Sequence, residues 1–219
     1  MAVTELAWFR SAHGPVGDDL KEAVNQALIV QDDWCARNIS TLPKDREARG
    51  VGLFRQIEDP SVVVLTAHWE SVDQHGIWLS SPENVTAISS VQPHFELIAL
   101  SHVENAQFFD GSGPDGNISL LKSPIIGITT VTVPAEKRKE FEQAWAETKH
   151  LLEAYTPLVK YGWRIEKEDD GLEQFILSAP WPSVEKHMEF ATGKDLPQFE
   201  KAILSLTQTQ EVKHYERIL

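Results

Sequence analysis

Residues 67–75 read AHWESVDQH and residues 179–187 read APWPSVEKH. The two stretches lie 112 positions apart, and at that offset residues 61–104 align with residues 173–216 without a gap. Eight pairs are identical: Leu65/Leu177, Ala67/Ala179, Trp69/Trp181, Ser71/Ser183, Val72/Val184, His75/His187, His102/His214 and Glu104/Glu216. Ordinary composition gives a chance match at about one position in sixteen. The identities also cluster in one segment, so an internal repeat is the first reading of the chain.

The beginnings of the two copies correspond at a different offset. ELAWFRSAHGPVGDDLKEAVNQAL is similar to IIGITTVTVPAEKRKEFEQAWAETKHLL, with a longer connection expected in the first copy around residues 32–50. The expected organisation is a first module over residues 1–104, a Gly-, Pro-, Asp- and Ser-rich linker over 105–124, and a second module over 125–219. Phe108 and Phe109 suggest that part of the linker is pinned to the body.

Each copy has the same order of elements. In the second, the β-branched run IIGITTVTV predicts a strand. Phe141, Ala144, Trp145, Leu151, Leu152 and Tyr155 then recur at helical spacing. Two strands follow around an Asp-Asp-Gly turn at residues 169–171, then helical pieces beginning at Ser183, then a last strand, EVKHYERIL. In the first copy the hairpin turns at Glu58-Asp59-Pro60, and Ser71 with Gln74 fits a capping box. The fold class is therefore α+β: two ferredoxin-like β-α-β-β-α-β modules in tandem. Helices cover one face of each sheet, and the bare faces pack face to face within the chain.

The segment Trp69-x-Ser71-Val72-x-x-His75, followed by Ser80-Ser81-Pro82-Glu83-Asn84, resembles the antibiotic biosynthesis monooxygenase (ABM) motif of the dimeric α/β-barrel superfamily. Trp181-x-Ser183-Val184-x-x-His187 repeats it. The resemblance implies an intrachain pseudo-dimeric barrel, with a homodimer of whole chains left open. It implies a cofactor-independent enzyme, of cyclase/isomerase or monooxygenase type, acting on a hydrophobic, aromatic or polyketide-like molecule in biosynthetic metabolism. The alternative is a non-catalytic ligand-binding or stress-associated barrel. Haem degraders of the superfamily carry a His ten residues after the motif Trp; here those positions hold Leu79 and Ala191, which argues against haem.

Composition narrows the classes. The net charge of −13, with no Lys/Arg cluster, disfavours nucleic acid and anionic membranes. No apolar run reaches membrane-spanning length, and the N-terminus lacks a secretory pattern, so a cytoplasmic location is expected. The single cysteine, Cys35, has no evident activating neighbour. There is no Gly-rich phosphate loop, no CxxC and no HExxH, so neither a cofactor nor a metal is expected. Acid–base chemistry then falls first to His102 and His214 on the last strands, where strand alternation groups His102 with Leu100 and Ile98. His75 and His187 come next, each with a structural reading as a hydrogen-bonded core histidine. Trp8, Arg10, His68, Trp69, Tyr161, Trp163 and Trp181 are the expected substrate contacts, in a cavity between the two sheets. His68, with Pro180 as its counterpart, marks a place where the copies differ.

Overall fold

The computed structural model describes residues 1–104, 108–109, 119–156, 158–167 and 171–219. The expected linker therefore lies largely outside the described residues, as do residues 169 and 170 of the second hairpin turn. Gly171 takes a positive φ of 74° there, a conformation that suits glycine.

The first half runs β1 (Val3–Ser11), α1 (Asp18–Asn38), β2 (Gly52–Gln56), β3 (Val62–Trp69), α2 (Val72–Leu79), α3 (Pro82–Val91) and β4 (Phe95–Val103). The second runs β5 (Ile125–Pro134), α4 (Arg138–Glu153), β6 (Lys160–Trp163), β7 (Leu172–Trp181), α5 (Val184–Ala191), α6 (Leu196–Ile203) and β8 (Thr209–Arg217). Local chemistry sets the helix starts. Ser71 Oγ accepts from Gln74 N at 3.1 Å, and Ser183 Oγ accepts from Lys186 N at 3.3 Å. Residues 32–38, expected within a connection, continue α1 instead, because Trp34 and Cys35 carry its buried stripe to the C-terminal end.

The strands order as β4-β1-β3-β2-β8-β5-β7-β6. The halves join where β2 pairs with β8, Phe54 opposite Arg217. They meet again where Val103 bridges Arg164 and Ile165 N donates to His102 O at 2.8 Å. The eight strands thus form one curled sheet whose two halves face each other across a barrel lumen, joined at β2/β8 and bridged at the outer edges, which satisfies edge amides that separate sheets would leave bare.

Strand alternation sorts the side chains. On β1, Leu6 and Trp8 point into the lumen, whereas Val3 and Phe9 belong to the cluster under α1. The lumen holds Phe54, Val64, Ile126, Ile176 and Tyr215, together with Phe108, Phe109, Leu120 and Leu121. Phe109 N donates to His68 Nε2 at 3.1 Å, which pins that piece of chain as its aromatic composition suggested. Phe108, Phe109, Leu120 and Leu121 therefore fill space in which an apolar ligand was expected.

A β-bulge between Trp8 and Phe9 opposite β4 corrects a second expectation. It breaks the period of two, so Leu97 and Leu100 line the helix side while Ile98 lines the barrel mouth.

Candidate functional site

The repeated histidines come together in pairs. His75 Nδ1 lies 2.7 Å from His102 Nε2, and His187 Nδ1 lies 2.8 Å from His214 Nε2. Each helix His stacks on the Trp before its helix: Trp69 on His75 with ring centroids 4.6 Å apart, Trp181 on His187 at 4.3 Å. Position dictates this. The strand His points to the helix side beside β1 or β5, and a helix starting three residues after the Trp lays its first turn over the ring.

Each pair is closed by a glutamate from the opposite half. Glu166 Oε1 sits 2.5 Å from His102 Nδ1, and Glu166 Oε2 accepts from His102 N at 2.9 Å. Glu58 Oε1 sits 2.6 Å from His214 Nδ1 and accepts from His214 N at 3.1 Å. The edge stitching explains the exchange. Ile57 N donates to His214 O and Ile165 N to His102 O, each at 2.8 Å, so the next residue lies over the foreign histidine.

Burial would raise the Glu166 carboxyl, but the hydrogen bonds from the His102 ring and amide outweigh it and hold the carboxyl at about 2. Glu166 is therefore ionised at neutral pH and accepts the hydrogen bond from His102 Nδ1–H. His102 Nε2 then accepts from His75 Nδ1, which leaves His75 Nε2 as the free end of the relay. Burial lowers the His75 pKa, partly offset by Glu5, and burial takes His187 down to about 4.

The halves differ at that free end. Glu5, 5% exposed, places Oε2 3.4 Å from His75 Nε2 and accepts from Trp69 Nε1 at 2.7 Å. Strand register puts Gly127 at the matching place: Glu5 is opposite Ala67 and Gly127 opposite Ala179. A Cβ there would lie 3.2 Å from both the His187 ring and Trp181 Nε1, and among the described residues the buried Trp181 Nε1 has no partner.

The space beside the relays differs as well. A cavity of about 650 Å³ lies under α1 and α3 of the first half, lined by Glu5, His75, Phe9, Leu28, Gln31 and Trp78 among others. The corresponding hollow in the second half is about 50 Å³. Large side chains account for the difference. Ala87 aligns with Phe199 at the 112-residue offset. Val24, four residues after the buried Leu20, matches Trp145, four after the buried Phe141. The cavity opens past Leu79, Ile88 and Leu97, apolar residues that are 40%, 42% and 54% exposed.

The other expected site residues lie elsewhere. Trp8 and Arg10 border a polar basin of about 550 Å³ at the barrel mouth, with Trp8 Nε1 donating to Tyr215 Oη at 3.2 Å and Arg10 paired to Asp59 at 2.9 Å. Tyr161 and Trp163 pack in the second core, where Arg138 covers the Trp163 ring at 4.4 Å. Trp69 and Trp181 stand behind their histidines, each 2% exposed. His102 and His214 touch their partner histidines rather than open space; His75 and Glu5 line the large cavity. Cys35 is buried, which pushes its thiol up to about 11, away from nucleophilic use.

His68 is held in the lumen, and burial brings its pKa down to about 4. A histidine that titrates lower folded than unfolded stabilises the fold above its unfolded value. That stability is lost as pH falls from about 6.5 towards 4, on the order of 3 kcal/mol for His68. The melting temperature should therefore drop over this range. His68→Gln, which keeps an acceptor for Phe109 N, should flatten the drop; an unchanged profile would show that other groups set the acid sensitivity.

Haem does not fit the cavity residues. His75 is the histidine that lines it, and both its ring nitrogens are engaged, one by His102 and one facing Glu5. Among the described residues, no group of three His, Cys, Asp or Glu side chains is placed to hold a metal ion. Nor is any described helix long and apolar enough to cross a membrane.

No family model and no curated protein matches the sequence. Solved structures do resemble it. A candidate monooxygenase from Fusobacterium nucleatum superposes with a TM-score of 0.61 at 9% identity, over 100% of this chain and 93% of that one. An anthrone oxidase-like protein gives 0.62 at 8% identity, over 99% and 92%. A mutant of the chlorite dismutase of Candidatus Nitrospira defluvii gives 0.57 at 12% identity, over 98% and 91%. At such identities the likeness concerns architecture, and it spans both halves: the chain shares the tandem ferredoxin-like, single-chain α/β-barrel fold of these structures.

Proposed function

We propose that this protein is an acid–base enzyme that transforms an apolar, enolisable small molecule in the cavity of its first half. One observation carries the reading. The half with the large cavity has the buried carboxylate Glu5 at the end of a histidine relay, and the half with the filled hollow has Gly127 there. A buried acid is costly and persists where its polar partners are in place; here it coincides with ligand-sized space.

The chemistry follows from the proton inventory. Ionised Glu166 fixes the tautomers of His102 and His75, so the mobile proton of the relay lies between His75 Nε2 and Glu5. As a carboxylate, Glu5 is steadied by the Trp69 Nε1–H donor at 2.7 Å. It can then remove a proton from a carbon acid in the cavity and return it to another atom of the ligand. Isomerisation or cyclisation of an aromatic or polyketide-like substrate needs no more. A monooxygenase-type reaction would add dioxygen to the same carbanion, and the similarity to candidate monooxygenases favours keeping that outcome in view.

The test is solvent-deuterium incorporation into a panel of bicyclic and tricyclic ketones. Wild-type protein should accelerate exchange next to the carbonyl. Ala87→Phe, which copies Phe199 and fills the cavity, should abolish it with the fold intact. No acceleration by wild-type protein, with probes still bound, would instead favour a non-catalytic ligand-binding barrel.

A further inference from the structure

Of the polar residues that line the cavity outside the relay, Gln92 and Glu96 are exposed and Asn84 and Gln31 are buried. Gln31, the fourth residue of the buried stripe of α1, is 6% exposed and lines the cavity with Val24, Ala27, Leu28 and Ile88. Among the described residues, no side chain or backbone group is hydrogen-bonded to its amide, whereas the neighbouring cavity residue Asn84 donates to Leu79 O at 3.0 Å. A buried amide carries two donors and an acceptor, and such groups are almost always satisfied. Facing open space, this one is available to whatever occupies the cavity.

The second half offers an internal comparison. Counting from the first buried residue of each helix, Gln31 stands eleven residues after Leu20, and Leu152 stands eleven after Phe141. Where the hollow is filled, the equivalent position is apolar; where it is open, the position is polar. Gln31 thus goes with the open space rather than with the module.

We propose that Gln31 is the specificity-determining residue of the cavity, and that its amide holds a neutral carbonyl or hydroxyl oxygen of an otherwise apolar ligand. This rests on the reading of the cavity as the ligand site. The charge of the ligand follows from the walls. Glu5 and Glu96 line the cavity and no Lys or Arg does, so a carboxylate or phosphate would be repelled. Most of the remaining lining is aliphatic or aromatic, which suits a ring system. A site built to hydrogen-bond an oxygen rejects the analogue lacking it, because the buried amide is then left unpaired.

The experiment compares 2-acetylnaphthalene with 2-ethylnaphthalene, which differ in the carbonyl, by titration calorimetry. Wild-type protein should bind the ketone about tenfold more tightly. Gln31→Leu, which takes the side chain of the second half, should bring the two affinities within about twofold while 2-ethylnaphthalene binds as before. Gln31→Met repeats the test with an unbranched side chain should the Leu variant fold poorly. Equal binding of both probes by wild-type protein, as a water-satisfied amide would give, overturns the assignment of Gln31 and leaves the cavity reading standing. A preference that survives in both variants overturns it likewise. Failure of wild-type protein to bind either probe overturns the cavity reading itself and this inference with it.

Discussion

Glu5→Gln is expected to slow deuterium incorporation by about 10²- to 10⁴-fold, the usual contribution of a positioned general base. The substitution is nearly isosteric. Its amide oxygen can still accept from Trp69 Nε1, which Glu5 Oε2 now does at 2.7 Å, so the buried hydrogen bond survives while the basicity is lost. Binding of 2-ethylnaphthalene should be unchanged, and that separates a lost base from a lost site. His187→Gln serves as the control: it alters the relay of the second half, where Gly127 leaves no acid to serve, and the rate should stay within about twofold. A Glu5→Gln protein that exchanges deuterium at the wild-type rate would remove Glu5 from the chemistry.

Trp69→Ala carries the largest expected cost in stability. The ring is 2% exposed, stacks on His75 at 4.6 Å and donates to Glu5, so truncation leaves both a void and a buried carboxylate short of a donor. A loss of about 3–5 kcal/mol is expected from the cavity alone. Phenylalanine substitutions isolate the polar part. Trp69→Phe should cost about 1–3 kcal/mol more than Trp181→Phe, because Trp181 Nε1 has no partner to lose among the described residues. Chemical denaturation of both variants checks this; equal costs would show that the Glu5 hydrogen bond contributes nothing net.

Much of this fold was legible in the sequence because repetition and periodicity report backbone order directly. AHWESVDQH and APWPSVEKH located the two equivalent strand–helix corners, and the aligned histidines did come together in pairs. The carboxylates were not found. Ile57-Glu58 and Ile165-Glu166 follow the first hairpin strand of each half, 108 residues apart rather than 112, because four more residues separate Glu166 from the aligned part of β7. An alignment without gaps passes over that match. Glu5 was hidden differently: a single glutamate in a strand reads as solvent-facing, and only its register opposite Ala67 shows that it replaces a glycine.

The location of the cavity was not legible for a further reason. Free volume belongs to sets of facing side chains. Val24 and Ala87 look like ordinary helix core residues until they are seen to oppose each other across a hollow that Trp145 and Phe199 fill elsewhere. Similarly, the lumen was expected to hold a ligand, and Phe108, Phe109, Leu120 and Leu121 pack within it, from a stretch whose composition reads as a connector.

The crossing of Glu58 and Glu166 between halves has a consequence for stoichiometry. In an assembly of two identical chains, a substitution that plugs one hollow plugs its twin, and the loss of a buried acid disarms both at once. A single reading frame that encodes both halves lifts that restriction. Gly127, Trp145 and Phe199 close one compartment while the other stays open. The half so closed remains indispensable, because it lends Glu166 to its neighbour. Saturation should therefore occur at one ligand per chain, and dilution should not change that ratio, since donor and recipient are covalently one molecule.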